Sequence, residues 1–267
     1  MPRPRKISPE EAARAQTEVS VIPPDLINRI DPSLPKGPQV YEVLRRAIVI
    51  LALPPGAAVN EKVISEQLSI SRTPLREALL RLSQEHLVTV VPNNGTYVSK
   101  IDLQTVFDGQ LVRDALEMKV VRLAAMRMTP AFDRKLDFNM HQQRMLAAER
   151  DYDGFYELDE QFHAMICEIG ASQRIWRIVN EAKAQLDRVR RLAFPGPNHL
   201  DIVLAEHTDI VDGLRSRDPD AAAAGMKEHL DRVFLSIRRL IVEKRDYFAT
   251  DASDLLEEYS KSVLSDS

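Results

Sequence analysis

The chain has 267 residues, 44% hydrophobic and 28% charged, with a formal net charge of −4. That globular mix excludes a mostly disordered chain, and a lone cysteine, Cys167, excludes an internal disulfide and fits the reducing cytoplasm. No apolar run approaches the roughly 18 residues of a membrane span, and the start MPRPRKISPEEA lacks the apolar core of a secretory signal.

Length predicts about two domains, and composition shifts where they would meet. Twelve of the 16 prolines fall in residues 1–98, which carry a net +2; residues 99–267 carry a net −6. Residues 1–38, with eight prolines, are expected to form a flexible arm whose Arg3, Arg5 and Lys6 are solvated or touch a phosphate backbone.

Residues 39–100 predict a small α/β unit. Val40, Leu44, Ile48 and Leu51 recur at helical spacing, and Pro54-Pro55-Gly56 stops that helix. A second helix is expected over Glu61–Leu68. A third starts near Ser71, placed to cap the first turn, where Pro74 is tolerated, and buries Leu75, Leu79 and Leu82. LVTVVPNNGTYVSKI then reads as two extended runs around a turn, a β-hairpin.

Residues 101–248 predict helix after helix: Asp102–Met128, Pro130–Arg150, Asp153–Ile169, Ser172–Phe194, His199–Arg217 and Pro219–Phe248. Short connections imply antiparallel neighbours in an all-α bundle. Asp218 is placed as an N-cap before Pro219. Residues 249–267 form an acidic, Ser-rich tail.

Two helices, a short turn and a hairpin make a winged helix-turn-helix. Its second helix suits the major groove, and the N-terminal residues of such a helix meet base edges. Here they read SRTPLREALLRL, with Arg72 and Arg76 on one face and Thr73 adding a hydroxyl. Arginine can grip guanine or phosphate in a bidentate way. Winged helices also bind proteins, so the pattern alone leaves both readings open.

The stretch from Val40 to Ile101 strongly resembles the DNA-binding domain of GntR-family bacterial transcription regulators. The match runs through Pro55-Gly56, Ser71-Arg72-Thr73-Pro74-Leu75-Arg76-Glu77-Ala78-Leu79, Leu87-Val88 and Gly95-Thr96-Tyr97-Val98. The resemblance implies that Arg72, Thr73 and Arg76 contact DNA, that Lys62 touches phosphate, and that Gly95 forms the wing tip. The chain departs from the family pattern at Ile64-Ser65 and His86.

In the helical domain Asp159 and His163 are four apart, on one face beside Phe155, Leu158, Phe162 and Ile166. His207 lies in the stripe Val203, Leu204, Ile210, Val211, Leu214, and His229 lies with Met226, Val233 and Ile237. Three imidazoles and a carboxylate aimed inward suit a divalent zinc, nickel or manganese ion. The alternative for each histidine is a core imidazole bonded to backbone or carboxylate.

Residues 101–245 resemble the FCD ligand-binding domain of the FadR subfamily. The matching pieces are Arg113-Asp114-Ala115-Leu116-Glu117, Asp159-Glu160-Gln161-Phe162-His163, Glu206-His207 and Met226-Lys227-Glu228-His229-Leu230. The resemblance implies that Asp159, His163, His207 and His229 are metal ligands and that Arg113 faces an effector cavity. Arg113 otherwise pairs with Glu117.

The expectation is a cytoplasmic, homodimeric, non-enzymatic transcription regulator of the repressor type. It reads a palindromic double-stranded operator under control of a small carboxylate effector. The rival is a metal-dependent hydrolase or lyase with an accessory winged helix, against which stands the lack of a clear general base or nucleophile motif.

Overall fold

The structure, a computed structural model, describes residues 21–196 and 198–249, together with Ala252 and residues 254–256. The chain divides into two units. The first comprises Met1–Asp102 and Lys244–Ala252.

It begins with a short helix α1 (Pro24–Ile27), whose Leu26 is buried, as is Ile22 just before it. The Ile22 amide donates to Gln67 Oε1 at 3.1 Å. This corrects the expected flexible arm over its described part: two apolar anchors tie residues 21–27 to the unit. Arg3, Arg5 and Lys6 lie outside the described residues.

Helix α2 (Lys36–Val49) buries Val40, Leu44 and Ile48. Helix α3 (Glu61–Gln67) is capped by the Asn60 side chain, which accepts from the amides of Lys62 and Val63 at 3.2 Å. Helix α4 (Arg72–Gln84) follows after a turn with Ser69 at φ 50° and packs Leu75, Leu79 and Leu82 inward. Ser71 sits at the N-cap, but its hydroxyl makes no capping bond, contrary to expectation: the side chain does not turn back over the first-turn amides.

Strands β1 (Val88–Val91) and β2 (Gly95–Val98) pair antiparallel from Val88↔Val98 to Val91↔Gly95. Their turn uses Asn93 at φ 60° and Gly95 at φ 118°, a region glycine adopts without Cβ strain. On the other edge of β2, Gly56 and Val59 donate to Val98 and Thr96 carbonyls at 2.8 Å. The unit is closed from the far end of the sequence. The Ile101 amide donates to the Tyr247 carbonyl at 2.8 Å, and the Ala249 amide to the Ile101 carbonyl at 2.9 Å. Ile101 and Phe248 are buried there. The bundle expected over 101–248 thus gives up its last residues to the first unit.

Among the described residues the second unit is helical: α5 (Leu103–Arg127), α6 (Pro130–Glu149), α7 (Tyr152–Gly170), α8 (Gln173–Ala182), α9 (Ala184–Ala193), α10 (His199–Arg215), α11 (Pro219–Asp231) and α12 (Val233–Glu243). Asp218 caps α11, accepting from the amides of Asp220 and Ala221. The core gathers Val121, Ala124, Leu136, Phe162, Ile166, Ile210, Leu214 and Met226. Helices α10 and α11 touch backbone to backbone: a Cβ on Gly213 would lie 2.4 Å from the Ala222 nitrogen.

Two predicted helices are each broken. Ser172–Phe194 divides at Lys183, and Pro219–Phe248 divides at Arg232, with a 3₁₀ turn at Arg245–Tyr247. Neither break has a Gly or Pro signal; at each, a cation is drawn to a carboxylate of another helix, Lys183 to Glu160 and Arg232 to Glu206. Among the described residues no helix is long and apolar enough to cross a membrane.

Candidate functional site

Two surfaces carry the chemistry-bearing residues, one in each unit. In the first, Arg72, Thr73 and Arg76 are all exposed on the opening turns of α4. Arg76 Nε lies 3.5 Å from Glu61 on the preceding helix, a solvent-facing pair that holds the side chain without burying it. Lys62 is exposed and 4.0 Å from Glu66, and Gly95 is exposed at the hairpin tip. Arg81, still half exposed, lies 3.7 Å over the Tyr41 ring.

In the second unit the structure brings Asp159, His163, His207 and His229 together. One ligand atom from each lies within 4.8 Å of the others, and all four residues are buried. Helix α7 supplies Asp159 and His163 one turn apart, α10 supplies His207, and α11 supplies His229.

Each imidazole has an oxygen beside its Nδ1. His163 Nδ1 is 2.6 Å from Glu117 Oε2, His207 Nδ1 is 2.8 Å from Gln143 Oε1, and His229 Nδ1 is 3.0 Å from Glu206 Oε2. These oxygens only accept, so the proton belongs on Nδ1 and the Nε2 lone pairs face the shared centre, that of His163 with Arg113 Nη2 3.3 Å away. His163 and His229 bring their Nε2 atoms within 3.2 Å of each other. Asp159 Oδ1 and His207 Nε2 are buried without a hydrogen-bond partner, 3.5 Å apart. Converging lone pairs and an unpartnered carboxylate oxygen repel one another until a cation joins them. The donor set therefore fits a divalent ion, with carboxylate and amide partners behind the histidines as such sites require.

Electrostatics agree. Burial pushes the His207 imidazole down to about 3 and holds His229 well below its ordinary value, so both remain neutral. Burial alone would raise the Asp159 carboxyl, but the Arg190 guanidinium holds it well below the usual carboxylate range. Glu117 is lowered too, since Arg113 and His163 outweigh its burial.

Arg190 was not legible as a site residue, yet it pairs with Asp159 Oδ2, Glu160 and Asp187. Lys183 joins Glu160 at 2.6 Å and Asp187 at 2.5 Å, fully buried. Arg113 Nε bonds Glu117 at 2.6 Å, its Nη2 lies 3.3 Å from His163 Nε2, and the side chain lines a cavity of about 30 Å³. That cavity reaches His229 and Glu206 beside the cluster and is walled by Phe194, Val203, Leu230 and Val233. Trp176 packs flat against His163, 6.2 Å between ring centres. Cys167 is a buried thiol, pushed up to about 12 by burial.

Comparisons with known proteins match residues 36–98 to the gntR family of bacterial regulatory proteins and residues 110–232 to the FCD domain. The chain is 35% identical over 223 residues to the HTH-type transcriptional repressor RspR of Escherichia coli, covering 84% of this chain and 98% of that protein. Among solved structures it is similar to E. coli McbR/YncC, with a TM-score of 0.69, 20% identity, and 77% and 99% of the two chains covered. A GntR regulator from Rhodococcus follows with a TM-score of 0.63, 23% identity, and 74% and 94% covered. At those identities the two structures speak for the fold alone.

Proposed function

The chain belongs to the GntR family of bacterial DNA-binding regulators and carries its FCD domain, and on that premise we propose that it is a dimeric transcriptional repressor. In this reading its hold on a palindromic operator is set by a small carboxylate. The observation that carries the effector half is the convergence of Asp159, His163, His207 and His229 beside a cavity lined by Arg113.

Arg72, Thr73 and Arg76 meet bases or phosphates from the start of α4, while Lys62 and the Gly95 turn meet the backbone. Exposed guanidiniums at a helix N-terminus do this by bidentate bonding, and the helix dipole adds to phosphate attraction.

Asp159, His163, His207 and His229 would hold a divalent zinc, nickel or manganese ion, and the ion's chemistry is to bind a carboxylate oxygen as a Lewis acid. Glu117, Gln143 and Glu206 would keep the three imidazoles aimed. Arg113 and Arg190 place guanidiniums where the carboxylate enters. Phe194, Val203 and Leu230 exclude water along the wall, which strengthens each polar contact inside. The carboxylate controls DNA binding only if it prefers one state of the dimer over another.

The test uses duplex DNA enriched by the protein from a random pool. Affinity is measured with and without zinc and with a panel of short carboxylates, whose concentrations are followed over time. The reading predicts that zinc raises the melting temperature and that at least one carboxylate changes DNA affinity without being consumed. Consumption of the carboxylate would turn the assignment toward a hydrolase or lyase.

A further inference from the structure

We propose that Leu80 reads thymine: from the third turn of α4 its side chain packs against the C5-methyl of a thymine in the major groove and makes that base part of the operator. The inference rests on the placement of α4 against DNA proposed above. It adds a specificity-determining residue and the base it selects.

Helix α4 buries Leu75, Ala78, Leu79 and Leu82 and presents its other side to solvent. Every exposed side chain of the helix but one is polar or charged. The exception is Leu80, which is 64% exposed. An apolar residue standing alone on a surface is ordinary. This one stands among Arg72, Thr73 and Arg76. At 3.6 residues per turn, Arg76 and Leu80 follow Arg72 by about 40° and about 80° around the helix, and Thr73 by about 100°. Leu80 therefore lies inside the arc of the three polar residues.

The charged neighbours at the edges of that arc are turned elsewhere. Arg81 lies 3.7 Å over the Tyr41 ring and 3.8 Å from Glu85. Glu77 Oε2 lies 3.2 Å from the point a Cβ on Gly37 would occupy, so its carboxylate sits beside the first turn of α2, where unpaired amides favour an anion. The opening three turns thus offer a ligand two guanidiniums, a hydroxyl and one apolar side chain, with no carboxylate among them.

That combination matches duplex DNA containing thymine. In the major groove thymine is the base that carries a methyl group, and an apolar side chain is its complement. Guanidinium and hydroxyl meet the acceptors of the bases and phosphates around it. Leu80 is eight residues from Arg72, about 12 Å along the axis, which corresponds to about three to four base steps at roughly 3.4 Å each. One helix laid along the groove reaches both. An apolar partner protein would instead have to take Arg72 and Arg76 into the same patch and strip water from their charges.

The experiment uses the full-length protein and the duplex it enriches from a random pool, at one fixed salt concentration. Each thymine is replaced in turn by uracil, which removes the C5-methyl and nothing else. Dissociation constants are measured by fluorescence anisotropy for the wild type and for Leu80→Ala. In the wild type, uracil at one or two positions is expected to weaken binding about fourfold, as the loss of one buried methyl would give. Leu80→Ala weakens binding to the thymine duplex by at least as much and is indifferent to uracil at those positions. Enriched sequences that share no thymine, uracil tolerated throughout by the wild type, or a uracil penalty that survives in Leu80→Ala overturns the inference and leaves the DNA reading of α4 standing. Undiminished DNA affinity in Leu80→Ala also overturns it and turns Leu80 toward a partner protein. If Arg72→Ala and Arg76→Ala both bind the duplex as the wild type does, the DNA reading of α4 falls and this inference with it.

Discussion

Glu206 and His229, on neighbouring helices α10 and α11, are joined by a 3.0 Å hydrogen bond from Nδ1 to Oε2. The other Glu206 oxygen pairs with Arg232. One carboxylate therefore fixes the tautomer of a cluster imidazole and anchors the junction of α11 and α12. Glu206→Ala should lower zinc affinity by about 10–100-fold, the usual cost of losing a ligand's outer partner. Competition with a chromophoric chelator reads this directly, and wild-type affinity in the variant would deny Glu206 its orienting role.

Arg72→Ala and Arg76→Ala should each weaken binding to the enriched DNA by about 1–3 kcal/mol. Both side chains are exposed, and the Arg76–Glu61 pair faces solvent, so folding stability should move by no more than about 0.5 kcal/mol. Fluorescence anisotropy and urea titration separate the two effects. Lys62→Ala should instead weaken binding to all sequences and flatten the salt dependence by about one unit of slope. Intact affinity in both arginine variants would remove α4 from the DNA interface.

Gly213→Ala tests the close approach of α10 and α11. The added methyl meets the Ala222 backbone at 2.4 Å and 2.6 Å, and backbone cannot step aside as a side-chain tip can. A loss of about 1–3 kcal/mol is expected, the usual range for overpacking, with zinc affinity falling as well because His207 and His229 ride on these helices. Urea unfolding of metal-free protein gives the first number. An increase in stability, the ordinary result of Gly→Ala in an open helix, would contradict the packing.

His199 makes stability fall with acid over a defined window. Its imidazole stays neutral in the folded protein down to about 4, while in the unfolded chain it protonates near 6.5. Below 6.5 the unfolded state takes up the extra proton, so stability drops as pH falls and levels off below about 4. The wild type minus His199→Gln difference in unfolding free energy should be constant above pH 7.5 and turn against the wild type between 6.5 and 4. Parallel profiles across that range would show that His199 is not shielded from water.

Much of this was legible because local chemistry and tertiary placement agree. The apolar spacing of Val40, Leu44 and Ile48, the NNG turn and the Asp218-Pro219 cap are each decided within a few residues, and each forms as read. The Asp159, His163, His207 and His229 cluster was legible because spacing and apolar stripes turn these residues inward and the resemblance to the FCD domain singles out the four together. Arg190, Lys183 and Asp187 were not. At i, i+3 and i, i+4 spacing they look like ordinary solvent-facing helix pairs, and only the packing of α9 on every side turns them inward. Gln143 gave no signal either, since its use depends on α6 lying against the helix that carries His207. The helix breaks at Lys183 and Arg232 escaped for the same reason: the partners that draw those cations aside are far away in sequence.

The pairing of Ile101 with Tyr247 and Ala249 sets an order of events during synthesis. Ile101 and Ala249 are 148 positions apart, on the order of ten seconds of translation at roughly 5–20 residues per second. Throughout that interval the nascent winged helix has an open backbone edge and no Phe248 to cover it. Its completion coincides with the arrival of the chain's last segment, so a transcript cut short before that point yields a molecule whose DNA-reading half was made first and left unfinished.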